Sequence, residues 1–251
     1  MSQPPNQGIE GVTFASAGYQ LVGRAYLARG EELKPTVLLL HGCPGLDHNG
    51  DLASDLRDHG WNTLMFHYRG CWGSQGPYNL TTIMADVRSA VDYLSAAPLP
   101  GIDPARLAVA GHSMGGWAAI QAAAHDDRLK AVVSIGAPAR LDRFLRLPDN
   151  AVEREFTRFL ATTPTELRDQ IAQICVQPGP VELICAVSPR PVLIVHGSAD
   201  EWVPADDGLL LHERAREPRE YAEIDGANHA LSWHRVQLRE VVITWLAKSG
   251  V

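Results

Sequence analysis

From residue 36 to residue 224 the chain repeats one rhythm: a short apolar run of strand length, a turn, then a stretch with helical spacing. Thr36-Val37-Leu38-Leu39-Leu40 is apolar without a break, as a strand covered on both faces of a parallel sheet must be. Strands of the same kind are expected at residues 62–67, 106–110, 131–135, 191–195 and 220–224. Helices are expected at 51–59, at 82–96, after Gly116, at 204–216 and at 232–247; in the second, Ile83, Val87, Ala90, Val91 and Leu94 share one face. Two β-prone runs, 12–15 and 20–27, flank Ala17-Gly18-Tyr19 as a hairpin, and Asp103-Pro104 reads as a turn. This alternation specifies an α/β chain with a mostly parallel eight-stranded sheet and helices on both faces. In such sheets the working groups collect at the carboxyl ends of the strands.

The rhythm breaks between about residues 139 and 188. Thr163-Pro164-Thr165-Glu166 combines a threonine cap, a proline at the first helical position and a glutamate three residues on, which starts a helix. Phe144, Phe156, Phe159, Leu160, Ile171 and Ile174 give this insertion an apolar underside, so it reads as a small helical cap. With 251 residues, the chain fits one large α/β domain spanning 1–251 that carries the cap.

The strand at 106–110 runs into Gly111-His112-Ser113-Met114-Gly115-Gly116 and then into an alanine-rich helix. At average glycine usage, a Gly-x-Ser-x-Gly arises by accident in about a tenth of chains of this length, so the flanking strand and helix carry the weight. Together they describe a sharp turn with a serine at its apex, its backbone strained and its neighbours two away unable to bear side chains. Three further groups sit just past expected strands: Cys43 in His41-Gly42-Cys43-Pro44-Gly45, Asp200 in His196-Gly197-Ser198-Ala199-Asp200, and His229 in Asp225-Gly226-Ala227-Asn228-His229. The chain order is Ser, Asp, His.

On these residues the chain resembles the α/β-hydrolases, from about residue 10 to residue 248; the cap has no counterpart in the resemblance. The resemblance implies a serine hydrolase. A serine hydroxyl is a poor nucleophile and needs an imidazole within reach, itself oriented by a carboxylate. Ser113 is then the nucleophile, His229 the base and Asp200 the orienting acid, with Asp225 and Glu201 as other carboxylates near enough to compete. The oxyanion of the intermediate needs two N–H donors. Met114 supplies one at the start of its helix; Pro44 has no N–H, which leaves the backbone of Cys43 for the other. Trp72, in the loop Tyr68-Arg69-Gly70-Cys71-Trp72-Gly73-Ser74, and Phe144 in the cap are candidate substrate-binding residues. His41 and Arg69 read as structural, Trp117 as core, and Asp206 and Asp207 as favouring the start of the helix after Pro204.

The expected reaction is hydrolysis of a small-molecule carboxylic ester through an acyl-enzyme. The alternatives are an aminopeptidase or amidase of the prolyl-oligopeptidase type, and a ligand-binding scaffold without turnover. An aspartate-nucleophile dehalogenase or epoxide hydrolase is set aside because the elbow carries Ser113. No metal or cofactor is expected: Cys43, Cys71, Cys175 and Cys185 show no Cys-x-x-Cys pairing and read as free thiols. A formal net charge of -7 argues against nucleic acid as a partner. Met-Ser-Gln-Pro-Pro-Asn-Gln-Gly lacks the basic start and apolar stretch of a secretory leader, and the apolar runs are too short to span a bilayer. A cytoplasmic protein with no membrane partner is expected.

Overall fold

The structure, a computed structural model, describes residues 8–45 and 49–251; the amino-terminal segment read above for a leader lies almost wholly outside them. β1 (Gly8–Ser16) and β2 (Tyr19–Leu27) form the hairpin, with Ser16 opposite Tyr19. Ala17 and Gly18 turn the chain at φ of 48° and 85°, the pair of positive values that matches the twist of the flanking strands.

β3 (Lys34–Leu40), α1 (Gly50–Asp58), β4 (Asn62–Phe66), α2 (Ile83–Ser95), β5 (Ile102–His112), α3 (Met114–His125) and β6 (Leu129–Ile135) follow. Past the cap come β7 (Val192–Gly197), a helix, β8 (Arg219–Ile224) and the closing helix. The eight strands form one sheet in the order β1-β2-β4-β3-β5-β6-β7-β8. Only the hairpin and its junction with β4 are antiparallel.

Because side chains alternate across a strand, the continuous apolar runs divide between two cores. Leu38, Leu40, Val109, Val132 and Ile194 face α2 and α3 through Val87, Val91 and Ile120. Val37, Leu39, Ala110, Val133, Leu193 and Val195 face the other side, where Leu52 and Leu56 of α1 meet Leu238 and Val242 of the closing helix. Each leucine buried this fully contributes about 1.5–3 kcal/mol, which is what holds the strand ends in register. Asp103-Pro104 is not a turn ahead of β5 but a bulge within it. Lys34 pairs with Ile102 and Thr36 with Leu107, and Asp103 gathers the extra residues by accepting from the Ala105 amide and the Arg106 side chain.

Between β6 and β7 the chain makes a 3-10 turn (Asp142–Arg146), α4 (Asp149–Val152), a π turn (Glu153–Thr157), α5 (Pro164–Cys175), α6 (Pro180–Leu183) and a last 3-10 turn. Thr163 caps α5 through a reciprocal pair of bonds with Glu166, and α5 turns Leu167 and Ile171 inward. Phe159 departs from the expected underside: it is half exposed, against Trp72 and under the Arg158 guanidinium. After β7 come α7 (Ala205–Arg214) and, last, α8 (Arg235–Leu246). No helix among the described residues is long and apolar enough to cross a membrane.

Candidate active site

Ser113 stands between β5 and α3 at φ 57° and ψ -123°, a conformation that L-residues with side chains rarely adopt. Its amide donates to the Ile135 carbonyl at 2.8 Å, and its carbonyl accepts from Trp117 at 3.0 Å, so the apex is tied to β6 and to its own helix. The flanking glycines are required by close approach rather than by φ. A Cβ on Gly111 would lie 2.1 Å from the Gly115 carbonyl oxygen, and one on Gly115 would lie 2.2 Å from that of Leu40. Gly42 presses on the apex from the other side, where its missing Cβ would meet the Ser113 Cβ at 3.0 Å. The turn carrying Cys43 therefore touches the serine directly. Among the described residues neither the Cys43 nor the Met114 amide has an acceptor, and the Ser113 hydroxyl has no hydrogen-bond partner.

Across the edge of the sheet, His229 Nδ1 lies 2.7 Å from Asp200 Oδ2. The competing acids are occupied elsewhere: Glu201 accepts from the His229 amide at 3.0 Å, and Asp225 accepts from the Ser198 hydroxyl at 3.1 Å. Asp200 is 99% enclosed in its side chain, with only 1% exposed. Burial alone would push its carboxyl up; bonds from His196 and His229 and from the Val203 amide outweigh that and hold it well below the usual carboxylate range. Its second oxygen accepts from the Trp202 and Val203 amides at 2.9 and 2.8 Å.

Two histidines that the motif reading passed over brace this pair. His112, beside the serine, donates from Nε2 to the His229 carbonyl at 2.7 Å, and the two rings stand 4.8 Å apart. His196, fully buried on β7, donates from Nε2 to the Val203 carbonyl at 2.8 Å and lies 3.4 Å from the Asp200 carboxylate. Gly136 closes the group: a Cβ there would come within 3.5 Å of Asp200 Oδ2 and 3.7 Å of His229 Cε1.

His41 is buried against Tyr68, and burial lowers its pKa to about 3 despite the Gly42 carbonyl at 2.7 Å. It is a neutral brace for the turn. Arg69 makes a buried ion pair with Asp86 at 2.7 Å, which fastens the loop after β4 to α2, and the Ser16 hydroxyl donates to the same carboxylate from the hairpin.

An apolar cavity of about 50 Å³ opens from Ser113 under the cap. Cys43, Met114 and Tyr78 line it together with Ser113, and Phe144, Phe156, Leu167 and Ile171 are among the cap residues that enclose it. Phe144 lines it as the sequence suggests. Trp72 does not: it is 45% exposed, and its indole donates to the Pro44 carbonyl at 3.0 Å, bracing the turn from outside. Tyr78, Leu80 and Leu167 escaped the sequence reading, and Ile171 entered it only as part of the cap's apolar underside; helical spacing from the Thr163 cap marks Leu167 and Ile171 as one face, but not what that face meets. Asp207 also differs from expectation. Rather than only favouring its helix, it accepts from the Ala139 amide at 2.9 Å and pairs with Arg143, fixing the start of the cap to α7. Burial raises its carboxyl above the usual range, more than these partners lower it. Among the described residues no three His, Cys, Asp or Glu side chains are grouped to hold a metal.

Residues 35–173 match a family model described as the alpha/beta hydrolase fold. The uncharacterized protein YfhR of Salmonella typhi is 30% identical over 241 residues, covering 90% of this chain and 76% of its own length. Human alpha/beta hydrolase domain-containing protein 17B is 27% identical over 67% of this chain and 50% of its own. Among solved structures, Est1E from Butyrivibrio proteoclasticus with ferulic acid bound superposes with a TM-score of 0.77 at 20% identity, over 95% of this chain and 98% of that one. A puromycin-hydrolyzing peptidase from Mycobacterium tuberculosis gives 0.76 at 20% identity, over 98% of this chain and 40% of that one. At such identities the structural likeness speaks for the fold alone.

Proposed function

This chain belongs to the alpha/beta-hydrolase family, and we propose that within it the protein is a serine hydrolase that cleaves small-molecule carboxylic esters through an acyl-enzyme. One observation carries the reading: a strained serine lies beside the amides of Met114, next in the chain, and Cys43, in the turn packed on it, neither of which has an acceptor among the described residues, and a His229–Asp200 pair follows the ends of β7 and β8. In this reading His229 takes the Ser113 proton as Oγ attacks the ester carbonyl, and the oxyanion settles on the two amides. His229 then returns the proton to the leaving alcohol, and a water repeats the sequence to release the acid. Asp200 keeps Nδ1 protonated and balances the imidazolium. The bond between Ser113 and His229 forms as substrate enters, a tightening common in such sites.

The lining of the pocket supports ester over aminoacyl amide, because among the described residues that line it there is no carboxylate to hold a free amine. The proposed chemistry runs on side chains and backbone amides alone, and a cytoplasmic location is part of the proposal. The test is parallel kinetics on p-nitrophenyl esters and aminoacyl p-nitroanilides, with fluorophosphonate labelling and peptide mapping. Ester hydrolysis with the adduct on Ser113 is expected. Faster turnover of the anilides would reverse the ranking in favour of a peptidase, and an unlabelled Ser113 would mean a scaffold.

A further inference from the structure

The cavity beside Ser113 has an apolar lining with few polar groups in it, and one of these lacks a proper partner. Arg168 is satisfied by Asp149 and by the Leu147 carbonyl at 2.6 Å. Tyr78 is only 4% exposed, yet among the described residues its hydroxyl meets nothing but sulfur: Cys43 Sγ at 3.7 Å and Met114 Sδ at 3.9 Å. Thioethers and thiols are weak hydrogen-bond partners, and a buried hydroxyl left with them alone is costly. Burial also holds the phenol well above its ordinary pKa, so it stays a proton donor at neutral pH.

The backbone that carries Tyr78 is held from two sides. A Cβ on Gly70 would lie 2.1 Å from the Tyr78 amide nitrogen, so the preceding loop presses on its backbone. Two residues on, the Leu80 amide donates to Gln170 of α5 at 2.9 Å, fastening the segment to the cap. The two sulfurs the hydroxyl touches belong to Cys43 and Met114, the residues whose amides the ester reading assigns to the oxyanion, so in that reading the hydroxyl lies close to the acyl end of the substrate. His229, which must protonate the leaving alcohol, is not among the residues lining the cavity. The part of the substrate that fills the cavity is therefore the acyl group.

Resting on the ester reading above, we propose that Tyr78 is a specificity-determining residue whose hydroxyl donates to an oxygen on the second or third carbon of the acyl chain, so that the site selects esters of short hydroxy- or oxo-acids over plain alkanoates. The oxygen displaces Met114 Sδ as acceptor, and the apolar remainder of the chain packs against Phe144, Leu167 and Ile171. A site built to bond a substrate oxygen discriminates strongly against the analogue lacking it, because its own polar group is otherwise left poorly paired.

The test compares kcat/KM of the wild-type protein on ethyl hexanoate and on its 2-hydroxy, 3-hydroxy and 3-oxo analogues, followed by titration of released acid. At least one oxygenated ester is expected to be preferred by about tenfold or more, the effect of one well-made hydrogen bond. Tyr78→Phe, which keeps the ring, is expected to bring that ratio close to unity. No preference in the wild type, or a preference that survives Tyr78→Phe, overturns the assignment. A loss shared equally by plain and oxygenated esters, ratio intact, overturns it too and makes Tyr78 structural. If no ester is turned over, the ester reading fails separately, and binding of the free acids to Ser113→Ala protein decides: equal affinity for hexanoate and all its oxygenated analogues sinks the role of Tyr78.

Discussion

At the carboxyl edge of the sheet a single methyl group is too much, whereas a few residues away the cap encloses open space. The edge around Ser113 is held by backbone pressed on backbone, as between Gly115 and the Leu40 carbonyl, and by bonded side chains such as Asp200 and His229. The cap is held by apolar contact, with Trp202, Phe156 and Phe144 stacked edge to face at 5.5 and 6.0 Å, and by a few ties such as Asp207 to Ala139. Bonded groups with no slack suit proton transfer, where a small displacement costs large factors in rate. Apolar packing tolerates changes of side-chain volume better, and that suits choosing what enters. The contrast implies that rim and cap variants fail in different kinetic parameters.

The widest separation is expected in activity. Ser113→Ala should remove ester turnover by on the order of 10⁴-fold or more, and Asp200→Asn by about 10³–10⁴-fold, both mainly in kcat. Phe144→Ala should instead alter KM and move the preferred acyl length upward, with kcat for short esters changed by less than about tenfold. A Phe144→Ala variant with kcat as low as Asp200→Asn on every acyl length would break the division.

Stability should divide in the same way. In Gly115→Ala the new methyl meets a main-chain oxygen at 2.2 Å, which cannot swing aside. Overpacking of this kind costs about 3 kcal/mol, a fall in Tm of roughly 6–12 °C for a chain of this size. Thermal unfolding that shows Gly115→Ala as stable as wild type would mean the elbow relaxes, and the rim is softer than its contacts imply.

How much of this was readable beforehand follows from the same division. Gly111, Ser113 and Gly115 are legible because the elbow is a local constraint, written within five residues. Asp200 and His229 are legible as strand-end residues in their loops, although choosing Asp200 over Glu201 and Asp225 takes coordinates, because all three lie within one loop's reach of the imidazole. The sheet is legible because burial on both faces forces unbroken apolar runs, as at Val37-Leu38-Leu39-Leu40. The pocket is not. Tyr78 comes from the loop after β4 and Leu167 from α5; nothing local records that they face one cavity. Trp72 misleads for a related reason, since an aromatic on a site loop can turn toward the cavity or, as here, onto the back of the Pro44 turn. His112 and His196 went unread because bracing a neighbour's carbonyl leaves no motif.

A smaller contrast lies in two buried acids. The Asp200 carboxyl is held below its ordinary range, so it contributes stability that is present above its unfolded pKa and lost as pH falls toward its folded one. Asp207, on the cap side, is shifted up, so its contribution runs the other way: it is present below the unfolded pKa and lost as pH rises through the folded one. Denaturant unfolding between pH 7 and pH 3 should show a shallower acid loss in Asp200→Asn and a steeper one in Asp207→Asn. Parallel slopes in the two variants would mean that the acids do not differ in the fold.

The smallest effect expected is also the most selective. Thr163 caps α5 at an exposed site, so Thr163→Ala should cost about 1 kcal/mol and lower Tm by roughly 2–4 °C. The first turn of α5 carries Leu167 one turn on, and its next turn carries Gln170, which holds the Leu80 amide next to the Tyr78 segment. Loosening that start therefore reaches the cavity wall without touching Ser113, Asp200 or His229. Esters whose acyl chain reaches Leu167 should lose kcat/KM severalfold in this variant, while an acetate ester, which does not reach the wall, should keep its rate. Equal losses on acetate and hexanoate esters would show that the cap positions the nucleophile as well as the substrate, and the two regions would then have to be treated as one.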